Sequence, residues 1–459
     1  MRKNSQVRQA SPSKGEFDRR AFLKSLGGLG MAPSLGGGFF GALSSLGSAA
    51  NDPDPDGPIL VLIHQAGGND ALNTVVPIDT VDSEYYYQGR PSLALNENEA
   101  LPLQDGYGLH PRLVQLKQLW DEGTLSVING VGNPSPNLSH FRSRDIWEAA
   151  NFSSAPKSGW LGRYFDHRCE QAVNFESTIG IELNSSTSLA FLTKSKESAL
   201  TVQSPLFFDY LSAKGDLPTA RDFDGAFRKE FLAGLIDRGE IKSGTQAYAT
   251  SALKAALSGS DSLQDALENS SQDKDEVAFP ATTFAKSLRN VARYIGGGMN
   301  TSTYFLTQGG YDTHASQYIL DGDGRPLLGR HANLLGDLDS ALGAFSAEMK
   351  RQGAWDRVTV MVYSEFSRKI IENGNQGSDH GAAGSVFIAG GQVQPGFYGD
   401  YPSLAPESRI LNESMPMTTD FRRVYRTILE RWYGLDPVEA AELLDIPTSE
   451  HPPLDFLIS

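Results

Sequence analysis

The stretch ILVLIHQAGGND, Ile59–Asp70, decides how the rest of the chain is read. Ile59–His64 is a short apolar run set off by Gly57-Pro58 before it and Gly67-Gly68 after it. Such a run predicts a strand covered on both faces, as strands of parallel sheets are. The glycines allow a sharp turn at its end, and Asp70 follows that turn. In open α/β sheets ligands bind just beyond the carboxyl ends of the strands, so Asp70 is a candidate functional residue. The competing reading is a plain turn in which Asp70 caps the next segment.

Outward from this strand the pattern repeats. Leu125–Gly130, Thr303–Gln308, Val358–Ser364 and Ser385–Gly391 read as further strands, with FESTIGIEL and SLAFL as two more between Trp160 and Lys214. Leu113–Glu122, His140–Ala150, Thr283–Ile295, His331–Gln352, Asp420–Trp432 and Pro437–Leu443 carry helical spacing, as does much of Phe223–Leu257. Gly259–Glu276 is rich in Ser, Asp and Gln and reads as a loop. Alternating strands and helices predict an α/β protein, a three-layer α/β/α sandwich with a mostly parallel central sheet. No internal repeat is visible. Residues 59–459 read as a single domain with a largely helical insertion at about 216–282.

The 459 residues carry a formal net charge of −15, which argues against a general nucleic-acid binder because no broad cationic face is available. A single cysteine, Cys169, excludes an intramolecular disulfide and a cysteine zinc cluster. Any metal site must therefore use His, Asp, Glu and hydroxyls, and the chain has only eight histidines.

Basic residues lead into DRRAFLK, Asp18–Lys24, and a charge-free stretch follows from Ser25 to Ala50, ending in LGSAA. Paired arginines before Phe-Leu-Lys resemble a twin-arginine export signal, and the small residues suit cleavage. Residues 1–50 are thus expected to be the signal and 51–58 a Pro/Asp linker. Pro33 and Gly36–Gly38 make a poor membrane helix, so no stable transmembrane span is expected in the mature form. The expected location is periplasmic or extracellular, with the twin-arginine machinery as a partner.

Polar residues gather at the ends of the strands. Ser139 and His140 follow Leu125–Gly130, Asp312 and His314 follow Thr303–Gln308, and Glu365 ends Val358–Ser364. Asp379 and His380, in the run GSDHG, precede Ser385–Gly391. Carboxylates brought this close repel unless a cation or a proton neutralises them. Carboxylate and imidazole ligands without thiolate suit Zn, Mn, Fe, Mg or Ca, and two such ions can clamp an ester in displacement. Ser139, at a helix start, is a candidate nucleophile, though it equally suits a helix cap. Glu365 has an alternative as the ion-pair partner of Arg368. His64 and His110 have no obvious partner and read as structural, and His331 reads as a helix-face residue.

These residues, in this order, resemble the alkaline phosphatase and sulfatase superfamily. GGNDALNTVVP, SHFRSRDIWE, WLGRY, GGYDTH, SEFSR and GSDHG, with the twin-arginine signal, are similar to an exported bacterial branch known mainly as a domain family of unknown function. The resemblance implies an alkaline-phosphatase-like fold. It implies Ser139 as nucleophile and Asp70, Asp312, His314, Glu365 and His380 as ligands of one or two divalent metal ions. His380 goes with Asp312 and His314, and His140 and Asp379 are additional or supporting groups. The strand that usually ends in Asp-His here ends in Glu365-Phe366, so an imidazole is lost. The formylglycine signature of sulfatases is absent around Ser139 and Cys169.

The expected function is an exported metal-dependent hydrolase of phosphate or related esters, acting on a small or polymeric ester. The alternative is a non-catalytic binding or scaffold protein of the cell envelope, which the loss at Phe366 favours.

Overall fold

In the computed structural model the chain is described over residues 56–171, 179–184, 186–194, 199–201, 262–270, 275–320 and 327–458. The signal assigned to residues 1–50, and the helical reading of Phe223–Leu257 with most of the 216–282 insertion, lie outside these residues.

The strands are β1 (Ile59–Ala66), β2 (Val75–Pro77), β3 (Leu101–Pro102), β4 (Tyr107–Leu109), β5 (Leu125–Gly132), β6 (Gly180–Leu183), β7 (Ala199–Thr201), β8 (Thr303–Gly309), β9 (Val358–Tyr363), β10 (Arg368–Glu372), β11 (Ser378–His380), β12 (Gly384–Gly390), β13 (Gly396–Tyr398) and β14 (Thr419–Asp420). The helices are α1 (Ala71–Thr74), α2 (Ser83–Gly89), α3 (Val114–Asp121), α4 (His140–Ala149), α5 (Trp160–Gln171), α6 (Thr283–Gly296), α7 (Arg330–Arg351), α8 (Phe421–Thr427) and α9 (Pro437–Leu443).

Nine strands among the described residues form the central sheet, in the order β13-β5-β12-β9-β1-β8-β6-β7, with β14 also paired to β5. β1 lies between β8 and β9 and runs parallel to both, with His64 level with Thr307 and Tyr363. β12 alone runs antiparallel to its neighbours β5 and β9.

The period of two along β1 divides the core. Ile59, Val61 and Ile63 join one buried cluster with residues of α3, α6 and α7. Leu60 and Leu62 join a second with residues of α4, α5, α8 and α9. A sheet with apolar residues on both faces must be covered on both, and that makes the three layers.

Several local readings change. SLAFL is not a strand: Leu189–Phe191 is a 3-10 turn. It packs where Gly159 and Gly162 leave room, since a Cβ on either would lie 2.1 Å or less from a backbone carbonyl oxygen of Leu189 or Leu192. Residues 262–270, read as loop, are helical, and Leu263 and Ala266 are buried in the first cluster. The helix expected over Asp420–Trp432 is α8 followed by a π-helical turn at Ile428–Trp432. GSDHG, read as lying between strands, contains β11, which forms a hairpin with β10.

Candidate metal centre

The centre is assembled from four places. His140 opens α4 directly after the loop that follows β5. Asp312 and His314 lie in the loop after β8. Glu365 follows β9, and the β10–β11 hairpin sets Arg368 opposite His380.

Three imidazoles surround Asp312. Its Oδ1 is 3.0 Å from His380 Nε2 and 3.1 Å from His314 Nε2, and its Oδ2 is 3.5 Å from His140 Nε2. The two histidine nitrogens His314 Nε2 and His380 Nε2 are 2.8 Å apart. Ligand atoms of His140, Asp312 and His380 all lie within 4.8 Å of one another, close enough to share one metal ion.

The far side of each ring is held by an acceptor. His140 Nδ1 faces Glu365 Oε1 at 2.8 Å, His314 Nδ1 faces Asp379 Oδ1 at 3.2 Å, and His380 Nδ1 faces the Leu138 carbonyl at 2.7 Å. A carbonyl or carboxylate only accepts, so each Nδ1 carries the hydrogen. In the neutral rings the lone pairs are then on the three Nε2 atoms, and they converge on a carboxylate. Lone pairs at these separations repel unless a cation lies among them. His140 Nε2 is buried and has no hydrogen-bond partner among the described residues. The donor set therefore fits a divalent ion, with His314 available as a fourth ligand. Metal-bound histidines have this same second layer of acceptors on the opposite nitrogen.

Electrostatics favour a bare nitrogen at His380 and a proton at His140. Burial pushes the His380 imidazole below its ordinary pKa despite its hydrogen bond to the Leu138 carbonyl, which disfavours an extra proton as the cation there. Burial would raise Asp312, but the hydrogen bond and the charge of Arg368 outweigh it and hold the carboxyl well below its usual range. The hydrogen bond to Glu365 raises His140 despite burial.

Glu365 and Asp70, both expected among the ligands, are placed otherwise. Glu365 is 3 % exposed, and each oxygen is taken: Oε2 by His64 Nε2 at 2.8 Å, Oε1 by His140 Nδ1 and by the Gly67 amide at 2.9 Å. It orients His140 from the Nδ1 side, away from the Nε2 that faces Asp312. Asp70 is fully buried, with Oδ2 accepting from Arg90 Nη1 at 2.7 Å and Gln317 Nε2 at 2.5 Å. Its carboxylate faces Arg90, not the three imidazoles, and the Arg90 cation holds its pKa down against burial. Asp379 supports His314 and is itself held by Asn373 Nδ2 at 3.1 Å. The alternative pairing of Glu365 with Arg368 does not form, because Arg368 donates to Asp312 at 2.8 Å.

Ser139 is exposed at the N-cap of α4, and its side chain makes no capping hydrogen bond. Leu138 before it and His140 after it both touch the centre.

Residues 130–446 match the family model described as "Protein of unknown function (DUF1501)". The chain belongs to this family. No curated protein matches it. Among solved structures, this DUF1501 chain is similar to the PsFucS1 sulfatase from Pseudoalteromonas sp., with 10% identity, 87% of this chain and 71% of that one covered, and a TM-score of 0.35. It is similar to the zinc complex of the C-terminal periplasmic domain of EcEptC from Escherichia coli, with 10% identity, 90% and 96% covered, and a TM-score of 0.34. It is also similar to alkaline phosphatase from the Antarctic bacterium TAB5, with 10% identity, 74% and 95% covered, and a TM-score of 0.29.

His64 of this DUF1501 chain, read as structural in the sequence, is in contact with the residue that orients His140. It lies within β1, 2 % exposed, and reaches Glu365 from behind. The signal available was a histidine ending an otherwise apolar strand run. Phe366 lies against both His140 and His380, with ring centroids 4.8 Å away in each case. An imidazole from α4 thus stands beside Phe366, the residue that follows Glu365.

Proposed function

We propose that this chain is an exported, metal-dependent hydrolase of phosphate or related esters in which Ser139 is the nucleophile. The observation that carries the reading is the convergence of three Nε2 lone pairs on Asp312, each ring fixed from behind by its own acceptor. A divalent ion held by His140, Asp312 and His380, with His314 beside them, would polarise the ester and acidify the serine hydroxyl.

The chain's own groups do the rest. Glu365, fixed by His64, keeps the His140 tautomer with Nε2 turned inward. The first-turn amides of α4 lack helical partners and favour an anion in front of Ser139. Ser139 Oγ forms the new bond to phosphorus or sulfur as the bond to the alcohol breaks, and the hydroxyl proton ends on that alcohol. Water then cleaves the seryl ester and restores the hydroxyl. The export half of the proposal is supported by the Arg19-Arg20 signal pattern, and no helix among the described residues is long and apolar enough to cross a membrane.

The test is metal analysis of the purified protein together with turnover of simple phosphate and sulfate esters. Ser139→Ala is expected to keep the metal and lose turnover by 100-fold or more, roughly the scale of losing a catalytic group. An unchanged rate would remove Ser139 as the nucleophile.

A further inference from the structure

Three carboxylates reach the end of the sheet, Asp70, Asp312 and Glu365, and each already faces a cationic or proton-donating side chain of the protein. Two-metal hydrolases need carboxylates that face or bridge both ions. Here Asp312 Oδ1 accepts from Arg368 Nη2 at 2.8 Å, on the side away from His140. Arg368 is fully buried. Each of its nitrogens also donates to backbone carbonyls: Nε to Gly68 at 2.7 Å, Nη1 to Ser378 at 3.0 Å, and Nη2 to Gly67 and to Tyr311 at 2.8 Å.

The Gly67-Gly68 turn makes that cradle. Its φ angles are +120° and +80°, and a Cβ at Gly67 would lie 2.4 Å from the Asp312 amide nitrogen. The two glycine carbonyls, which in the sequence seemed to present Asp70, in fact hold a guanidinium. Asp70 is closed off similarly by Arg90, itself fully buried and anchored on the carbonyls of Ile370 and Lys369. Asp70 Oδ1 is left without a partner among the described residues, so it is where a second ion would have to attach. Two buried guanidinium groups beside it oppose any further cation.

We propose that the centre takes one divalent ion per chain and that the Arg368 guanidinium stands as a built-in cation where a second ion would otherwise neutralise Asp312. Arg368 is then a positioning residue, acting through Asp312. The proposal rests on the metal-dependent reading above, and the experiment separates the two.

Purified protein is stripped with chelator and titrated with zinc alone, counting bound ions by mass spectrometry and calorimetry and following Tm. The native chain is expected to bind one zinc. Arg368→Met removes the built-in cation, so zinc should then raise Tm by roughly 2 °C or more beyond its effect on the native chain. Arg368→Lys, which keeps the charge, should behave as native. Two zinc ions bound to the native chain, with ester turnover, would overturn the inference and leave the metal reading standing. Equal zinc-induced shifts in native and Arg368→Met protein would also overturn it. No zinc bound to the native chain would overturn both. If Arg368→Met does not fold, the native count decides alone.

Discussion

His140 and Glu365 act as one unit. The carboxylate, gripped by His64 and the Gly67 amide, fixes the ring that offers Nε2 to the centre. Glu365→Gln keeps the shape but weakens the acceptor, and loss of such an orienting partner typically lowers metal affinity about 10- to 100-fold. Zinc titration of the two proteins measures that ratio. Gly67 belongs to the same scale. Gly67→Ala places a methyl against the Asp312 backbone at a left-handed φ, and should destabilise the fold by roughly 2–4 kcal/mol in urea unfolding. Asp312, His314 and His380 were visible in the sequence because they sit in short polar runs next to strands. The roles of Arg368, Arg90 and His64 were not, since their partners lie 56, 20 and 301 residues away.

Elements decide the next level. The apolar runs of β1, β5, β8 and β9 announced themselves because burial on both faces removes the polar alternation of a half-exposed strand. The antiparallel course of β12 carries no such mark, since direction depends on the connection and not on composition. SLAFL failed as a strand because the close approach of α5 fixed its path, a tertiary constraint that local pattern does not contain. WLGRY, one of the runs that carry the resemblance, ties α5 to its other neighbours: Trp160 stacks on Tyr425 at 4.3 Å and Arg163 donates to carbonyls of Ala149, Ser158 and Leu443.

β6 carries a pH dependence. Burial pushes the Glu182 carboxyl up to about 7, with hydrogen bonds from Ser188 and Asn184 only partly opposing it. Between the ordinary value of 4.5 and about 7, the folded chain holds a proton that the unfolded chain has released. Stability from this group is therefore present below the lower value and falls as pH rises through the window. Thermal scans at the two ends should show native protein losing on the order of 2 kcal/mol more than Glu182→Gln across that range. Equal pH slopes would contradict the assignment.

At the scale of the whole molecule, a parallel sheet puts the ends of strands far apart in sequence on one edge. That geometry turns four separate polar runs into a single centre. The general layout was legible because strands and helices alternate over most of the chain. Which carboxylate faces the imidazoles was not, because it depends on distant partners: Arg90 for Asp70, Arg368 for Asp312, and His64 and His140 for Glu365. Filling the centre should also stabilise the whole fold, as any ligand bound only by the native state does.

The most direct measurement is an anomalous-scattering map from crystals loaded with zinc. The account predicts one peak, bounded by Nε2 of His140 and His380 and the carboxylate of Asp312, with His314 beside it. No peak there, or a peak against Asp70, would contradict it.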